Sequence, residues 1–565
     1  MSQGRRFLPA LPTLAVLVML GPVAAGLWGT ILPAFGHLPA AGLTVPNLAP
    51  FQALFTHPGL SQSVYLSVMT GVASTVISLA VVIMLSASWS GTRVFRGIER
   101  FLSPLLSVPH AAAAFGLAFL IAPSGWIARA LSPWLTGWER PLDLLIVNDK
   151  WGLALIAGMV VKEVPFLLLM TLAALGQTQA RRRIIVCQTL GYGRTTGWLK
   201  SVFPSVYAQI RLPVYVVLAY AMSVVDVAII LGPNTPPPLS VQIVKWMSDP
   251  DIAMRTQAAA AAILQLALVL VALGVWRVLE TVVAKIGRIW IASGTRGAWD
   301  PVVSVVALVA GSISGAAVFL GIFVLAVWSI AGFWGFPDAL PNGFTLGNWE
   351  RHLNGVSSAL GQTALIAIIV TTMAVFLTIG CLEAEYRYDL QLGQRGIWLL
   401  YLPLLVPQTA FLPGFQTLLL GFGANVGLIP VIIAHMVFVL PYVFLSLADP
   451  FRAWDARLGV VGATLGAGPD RLLWTVRLPM LVRPLLTAIA VGLAVSVGQY
   501  LATLLMGGGR IATLTTEAVA LASGGDRRAI GVYGLMQTLA ALVPFTIAIV
   551  VPALLWRNRK GLQNG

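Results

Sequence analysis

Charge is scarce in this sequence. Asp, Glu, Lys and Arg together supply 10% of the 565 residues, while 58% are hydrophobic. Soluble globular domains run near ~25% charged and ~45–50% apolar, so a water-soluble chain of this length is excluded. Intrinsic disorder is excluded too, because it needs low hydrophobicity and high net charge. Cysteine is nearly absent. Cys187 and Cys381 are the only two, far apart and with no His or Cys at metal-ligand spacing. Neither a disulfide framework nor a metal site is expected. Lysine is also rare: none of the six, at 150, 162, 200, 245, 285 and 560, follows a glycine. The phosphate-wrapping loop Gly-x-x-x-x-Gly-Lys-Ser/Thr is therefore missing, and so are His-Glu-x-x-His and the Gly-x-Ser-x-Gly elbow. The chain is expected to be no enzyme and to hold no cofactor.

Long apolar runs are abundant. A membrane-crossing helix needs about 20 mostly apolar residues. Twelve runs qualify, near 8–32, 62–86, 101–122, 152–175, 212–232, 256–277, 302–333, 360–382, 397–420, 427–448, 484–506 and 530–556. Prolines in 101–122 and 397–420 are read as tolerated within a bundle. The first run competes with a signal peptide, given Arg5, Arg6 and the small residues Val23 to Gly26. It continues to Phe35, beyond the usual length of a cleaved leader, so an uncleaved helix is expected. With both termini in the cytoplasm, 25 Lys and Arg fall on that side and nine on the other, Lys162 lying inside a span. This is the positive-inside bias, and it accounts for most of the net charge of +15 without a nucleic-acid partner.

The chain repeats itself. Thr189-Leu190-Gly191-Tyr192-Gly193 recurs 275 residues later as Thr464-Leu465-Gly466-Ala467-Gly468, and Pro204 and Pro479 keep the same offset. Gly232 and Gly507, then Leu239 and Leu514, keep it as well. Val164-Pro165-Phe166 parallels Leu440-Pro441-Tyr442, and Pro104-Leu105-Leu106 resembles Pro403-Leu404-Leu405. The expected architecture is an all-α polytopic membrane protein with two tandem six-helix halves of one orientation, 1–280 and 302–565, joined by a linker at 281–301.

The segments 176–211 and 449–483 are the longest on the cytoplasmic side. Each reads as two short amphipathic helices about a Gly, with Leu199, Val202 and Phe203, or Leu472, Leu473 and Val476, on the apolar face. Gly191 and Gly466 are expected to provide a positive φ or a close backbone approach. Pro204 and Pro479 are expected at the start of the following span. Helices lying in the lipid interface are the alternative. The fixed Gly-to-Pro distance favours a docking role.

These loops resemble a known family. Ala463-Thr464-Leu465-Gly466-Ala467, with Pro479 thirteen residues beyond Gly466, looks like the conserved cytoplasmic loop of permeases in binding-protein-dependent ABC importers. The chain is most similar to fused two-domain permeases of the iron(III)/thiamine type, including the YnjC-like group. That similarity also rests on Val495 to Tyr500, Gly507 to Arg510 and Thr513 to Ala518. The resemblance implies the type I ABC importer permease fold of about twelve membrane helices, in a bacterial inner membrane. It gives Thr189, Leu190, Gly191, Gly193 and Pro204, with Thr464, Leu465, Gly466, Gly468 and Pro479, to loops that grip the ATPase subunits, two copies being expected. A periplasmic or extracellular substrate-binding protein is the other implied partner, with thiamine, iron(III), polyamines and oxyanions as candidate cargo. In one respect the sequence departs from the family, whose pattern carries a Glu where Ile185 and Val460 stand here.

A major-facilitator-like secondary transporter driven by an ion gradient is the rival reading, since it too has twelve spans in parallel halves. Its largest loop usually joins the halves, whereas here the repeated loops are longest. Ionisable groups at membrane depth mark either helix contacts or a pathway. Asp226 and Gln499 are the candidate pathway residues, Asp226 being placed within the fifth span. Lys162 and Glu163 are read as either structural or part of the transport path, while His110 and Gln408, each following a proline, and His435, upstream of Pro441, are read mainly as structural. The turns Gly232 to Pro238 and Gly507 to Arg510 are candidate parts of an outer gate or docking surface.

Overall fold

Hydrocarbon offers no hydrogen bonds, so an apolar chain must pair its own backbone groups, and helices do so within one segment. The computed structural model describes residues 8–555 apart from 298, 391, 392 and 425. Within these residues the chain is helical, with two isolated bridges, Leu38 to Leu43 and Ala331 to Phe344. The terminal segments 1–7 and 556–565, on which the expected orientation partly rests, lie outside the described residues.

Ten helices are long and apolar enough to cross a membrane, and twelve spans result when each of two bent pairs counts as one. Spans 1 to 6 are Leu8–Ala34, Leu60–Trp89, His110–Leu131, Leu153–Gly176, Phe203–Ser223 and Met254–Ala292. Spans 7 and 8 are Asp300–Ile330 and Gly347–Tyr388. Span 9 is Trp398–Leu405 with Gln408–Gly421, and span 10 is Leu428–Arg452. Span 11 is Pro469–Met480 with Val482–Val497, and span 12 is Arg527–Leu555.

Two pairs of spans differ from their sequence boundaries. Continuous helices were expected over 101–122 and 397–420. Instead Arg93–Ser107 stops before His110–Ile121, and span 9 turns by 84° between its two parts. Pro109 and Pro407 are the cause, because a residue before proline is pushed out of the helical region. Val108 and Val406 are accordingly extended, with ψ of 123° and 122°. In the first half Lys162 Nζ donates to the freed carbonyls of Val108 and Leu105, at 2.6 and 3.2 Å.

The second difference concerns 212–232 and 484–506. The helices end at Ser223 and Val497, and each is followed by two short helices: Asp226–Leu231 and Leu239–Met247, then Leu501–Gly507 and Leu514–Ala522. A hydroxyl closes each break. Ser240 Oγ donates to Val224 O at 2.7 Å, and Thr515 Oγ1 donates to Val497 O, the two donors standing 275 residues apart. Side-chain hydroxyls thus satisfy backbone that the helix has released.

The halves exchange their leading helices. Span 1 lies on span 9, where a Cβ added at Gly26 or Gly29 would collide with the backbone of Phe411 or Gly414. Thr30 Oγ1 also donates to Ala410 O at 2.8 Å. Span 7 lies on span 3 in the same manner, and a Cβ at Gly116 would sit 2.7 Å from the Gly321 backbone. Close backbone approach at small residues is how helices pack where lipid gives no hydrophobic drive.

Candidate functional site

The Thr-Leu-Gly repeats fold into matching helix ends. Helix Ala180–Thr189 ends in a turn where Gly191 has φ +82°, and helix Ala456–Thr464 ends where Gly466 has φ +80°. In the first loop Tyr192 N–H reaches Cys187 O and Gly191 N–H reaches Gln188 O, both at 3.0 Å. In the second, Ala467 N–H reaches Gly462 O at 2.9 Å and Gly466 N–H reaches Ala463 O at 3.0 Å. This paired pattern is the Schellman closure, which places a left-handed residue just past the helix end. Of the two roles expected for these glycines, the positive φ is the one realised. The threonines match too: Thr189 Oγ1 and Thr464 Oγ1 donate to Val186 O and Val461 O, each at 2.8 Å.

Beyond the turn, Gly193 and Gly468 precede the next helical stretch in extended conformation. Pro204 falls in the first turn of span 5, as expected. Pro479 instead lies in the short helix Leu478–Met480, one bend before Val482–Val497. Ile185, Val186 and Leu190 are exposed, as are their offset partners Val460, Val461 and Leu465. Leu465 is 81% exposed, so the apolar tip of the second turn stands clear of the bundle.

What holds each loop was not visible in sequence. In the first, the inter-half linker does so. Gly193 N–H donates to Arg296 O at 2.8 Å, and Thr196 N–H and Oγ1 donate to the Asp300 carboxylate at 3.1 and 2.7 Å. Trp198, absent from the expected apolar set, is the fully buried anchor of the second helix. In the second loop an ionic cluster takes over. Arg477 reaches Glu383 at 3.1 Å, with both side chains 4% exposed, and its guanidinium lies against Phe451, Tyr386 and Trp454. Arg387 bridges Glu383 and Asp470 at 2.6 and 2.7 Å, and Arg452 grips Glu385 through two nitrogens at 2.9 Å. A residue 94 positions from its partner leaves no local signal to find it.

A second group gathers between the halves. Asp226 is the first residue of Asp226–Leu231, beyond the end of span 5, so its expected place inside that span is corrected. Its carboxylate accepts the backbone N–H of Val227, as a helix-start acid does. It lies within electrostatic reach of His110, Tyr220 and Tyr500. Gln499 sits in the equivalent break of the second half, beside Tyr500. Glu163 Oε1 is 3.9 Å from His110 Nε2 and acts electrostatically on Tyr220 and Tyr442. His110 meets Tyr220 edge-on at 5.1 Å and remains 38% exposed. Carboxylates from the first half therefore face tyrosines from the second. Those tyrosines escaped sequence reasoning because aromatic residues in apolar runs look like packing. His435, by contrast, bonds Ser496 and Thr503 at 2.9 Å each and ties span 10 to the neighbouring helices. Among the described residues no group of three or more His, Cys, Asp or Glu could hold a metal ion.

Comparison with known proteins adds to this geometry. No family model matches the chain. It is 30% identical over 557 residues to the inner membrane ABC transporter permease protein YnjC of Escherichia coli K12, covering 97% of this chain and 99% of that protein. Over 186 residues it is 31% identical to the molybdenum transport system permease protein ModB of Mycobacterium tuberculosis, covering 29% of this chain and 68% of ModB. Over 140 residues it is 25% identical to the spermidine/putrescine transport system permease protein PotC of Haemophilus influenzae, covering 24% of this chain and 54% of PotC. Nothing in these relationships favours a major-facilitator protein. The chain belongs to the permeases of ABC transporters: it is a multi-pass inner-membrane subunit with two transmembrane halves, and ATP is hydrolysed on a separate subunit.

Proposed function

We propose that this permease is an importer whose two Thr-Leu-Gly loops dock on a pair of ATPase subunits. Residues 1–280 and 302–565 form the halves, 281–301 joins them, and both termini face the cytoplasm. The observation that carries this reading is the duplicate hook: two Schellman turns 275 residues apart, each presenting exposed apolar side chains at three matching positions. Thr189, Leu190, Gly191 and Gly193, with Pro204 behind them, shape the first hook. Thr464, Leu465, Gly466 and Gly468, with Pro479, shape the second. Closing the ATPase pair would draw the hooks together and rock the halves about the path between them.

Asp226 and Gln499 line that path in this reading, where carboxylates of one half meet tyrosines of the other. Selectivity is left largely to an external binding protein that delivers the cargo.

Leu465→Asp tests the docking. The side chain is 81% exposed, so the variant should insert and fold normally. Co-purification of the ATPase should fall at least tenfold, and transport should fall with it. Unchanged association in a correctly inserted variant would overturn the hooks' role. Asp226→Asn separates the path from the hooks: ATPase association is expected to stay normal while transport drops. Normal transport at normal protein level would remove Asp226 from the path.

A further inference from the structure

Beside the first loop lies a cavity of about 520 Å³, enclosed by the loop, the linker and the adjoining ends of spans 2 and 7. Its walls divide by chemistry. Met84, Leu199 and Val303 are apolar, Trp290 and Trp299 supply indoles, and Arg296 and Thr195 supply polar groups. Indoles between an apolar floor and a basic rim are the pattern of a membrane–water interface.

The neighbouring cations lack acids. Lys200 is 9% exposed, and its ammonium has no hydrogen-bond acceptor. It packs against Tyr192 at 5.1 Å and against the cavity-lining Trp290 at 4.8 Å. Arg194 donates to Ser90 O, yet its Nε has no partner. Burial pushes the Arg194 guanidinium below its ordinary pKa. Asp300 is the carboxylate at the cavity, and it already accepts two bonds from Thr196. A buried cation without an acceptor is costly: Lys200 is one, Arg194 is part-buried with one nitrogen unpaired, and the exposed Arg296 lines the cavity beside them.

The second half shows what is missing. Its buried Arg477 is neutralised from within the bundle by Glu383 of span 8. Span 2, its counterpart, contains no Asp or Glu along Leu60–Trp89. At the position of Lys200 the second half has Thr475, whose hydroxyl bonds Arg471 O at 2.6 Å. One half carries its counter-charge, and the other has a cavity in its place.

We propose that this cavity seats an anionic phospholipid from the leaflet on the loop side. The phosphate would lie among Arg296, Arg194 and Lys200, and an acyl chain would run along Met84, Leu199 and Val303. A phosphodiester offers the charge-assisted acceptors these donors lack. The apolar wall points to a lipid over a free phosphate ion.

The test uses the full-length protein in detergent, with bound lipid counted by native mass spectrometry. Phosphatidylglycerol should be retained at about one molecule per chain above the level of phosphatidylcholine. Arg296→Gln, an exposed position, should lower that retention at least fivefold, and Lys200→Met should do the same. Arg471→Gln, which removes a cation from the second loop, should leave it unchanged. Equal retention by Arg296→Gln and the parent protein would overturn the proposal. Displacement of the lipid by millimolar inorganic phosphate would also overturn it, by assigning the cavity to a free anion.

Discussion

The first loop rests on the linker through hydrogen bonds, from Gly193 to Arg296 and from Thr196 to Asp300. The second rests on charge, through Arg477, Glu383, Arg387 and Asp470. Yet the turns they support are nearly superimposable in hydrogen bonding and in glycine φ. A duplicated chain can keep the geometry of its exposed turns while the supports diverge, as the proposed docking of both hooks on one kind of partner would require. The divergence also follows from connectivity. Only the first loop has a linker threaded past it, so only there can the chain itself act as the clamp.

This difference can be broken at graded cost. Glu383→Ala should have the largest effect. It leaves Arg477 buried without a carboxylate, a change that typically costs about 3–5 kcal/mol. Thermal unfolding in detergent should move to clearly lower temperature, and proteolysis should open the second loop before the first. A melting temperature equal to the parent's would show that the cluster contributes little. Gly193→Ala comes next. Its Cβ would collide with the Asp300 carboxylate and displace the acceptor of both Thr196 bonds. About 1–3 kcal/mol of loop support should go with them, visible as faster hydrogen exchange over 194–201. Gly468→Ala, the matched change in the second half, should be the smallest, within about 0.5 kcal/mol. Nothing lies within 4 Å of the added carbon there. Equal effects at Gly193 and Gly468 would contradict the linker clamp.

Much of the fold was legible in the sequence because hydropathy and duplication are properties of the chain itself. Twelve apolar runs gave the span count, and an offset of 275 found both hooks before any contact was known. The breaks at Pro109, Pro407, Ser223 and Val497 were not legible, because an apolar run reads alike whether its helix is continuous or bent. Proline was weighed there as tolerable, when the residue before it was what had to leave the helix. The supports were hidden for another reason: Thr196 and Asp300 lie 104 residues apart, and no local pattern foretells such a pairing. The replacement of the family's Glu by Ile185 and Val460 was visible from the start. The structure adds that both are exposed, so the loops present apolar side chains at these two positions.

The exchanged leading helices constrain any motion. Span 1 is pinned to span 9 at Gly26, Gly29 and Thr30, and span 7 to span 3 at Gly116 and Gly321. These seams have no room for sliding, since backbone touches backbone. If the halves rock as proposed, the bodies that swing would therefore not be the two consecutive stretches of sequence. Each would comprise five helices of one stretch and the opening helix of the other, placing the joints inside the duplicated units instead of between them.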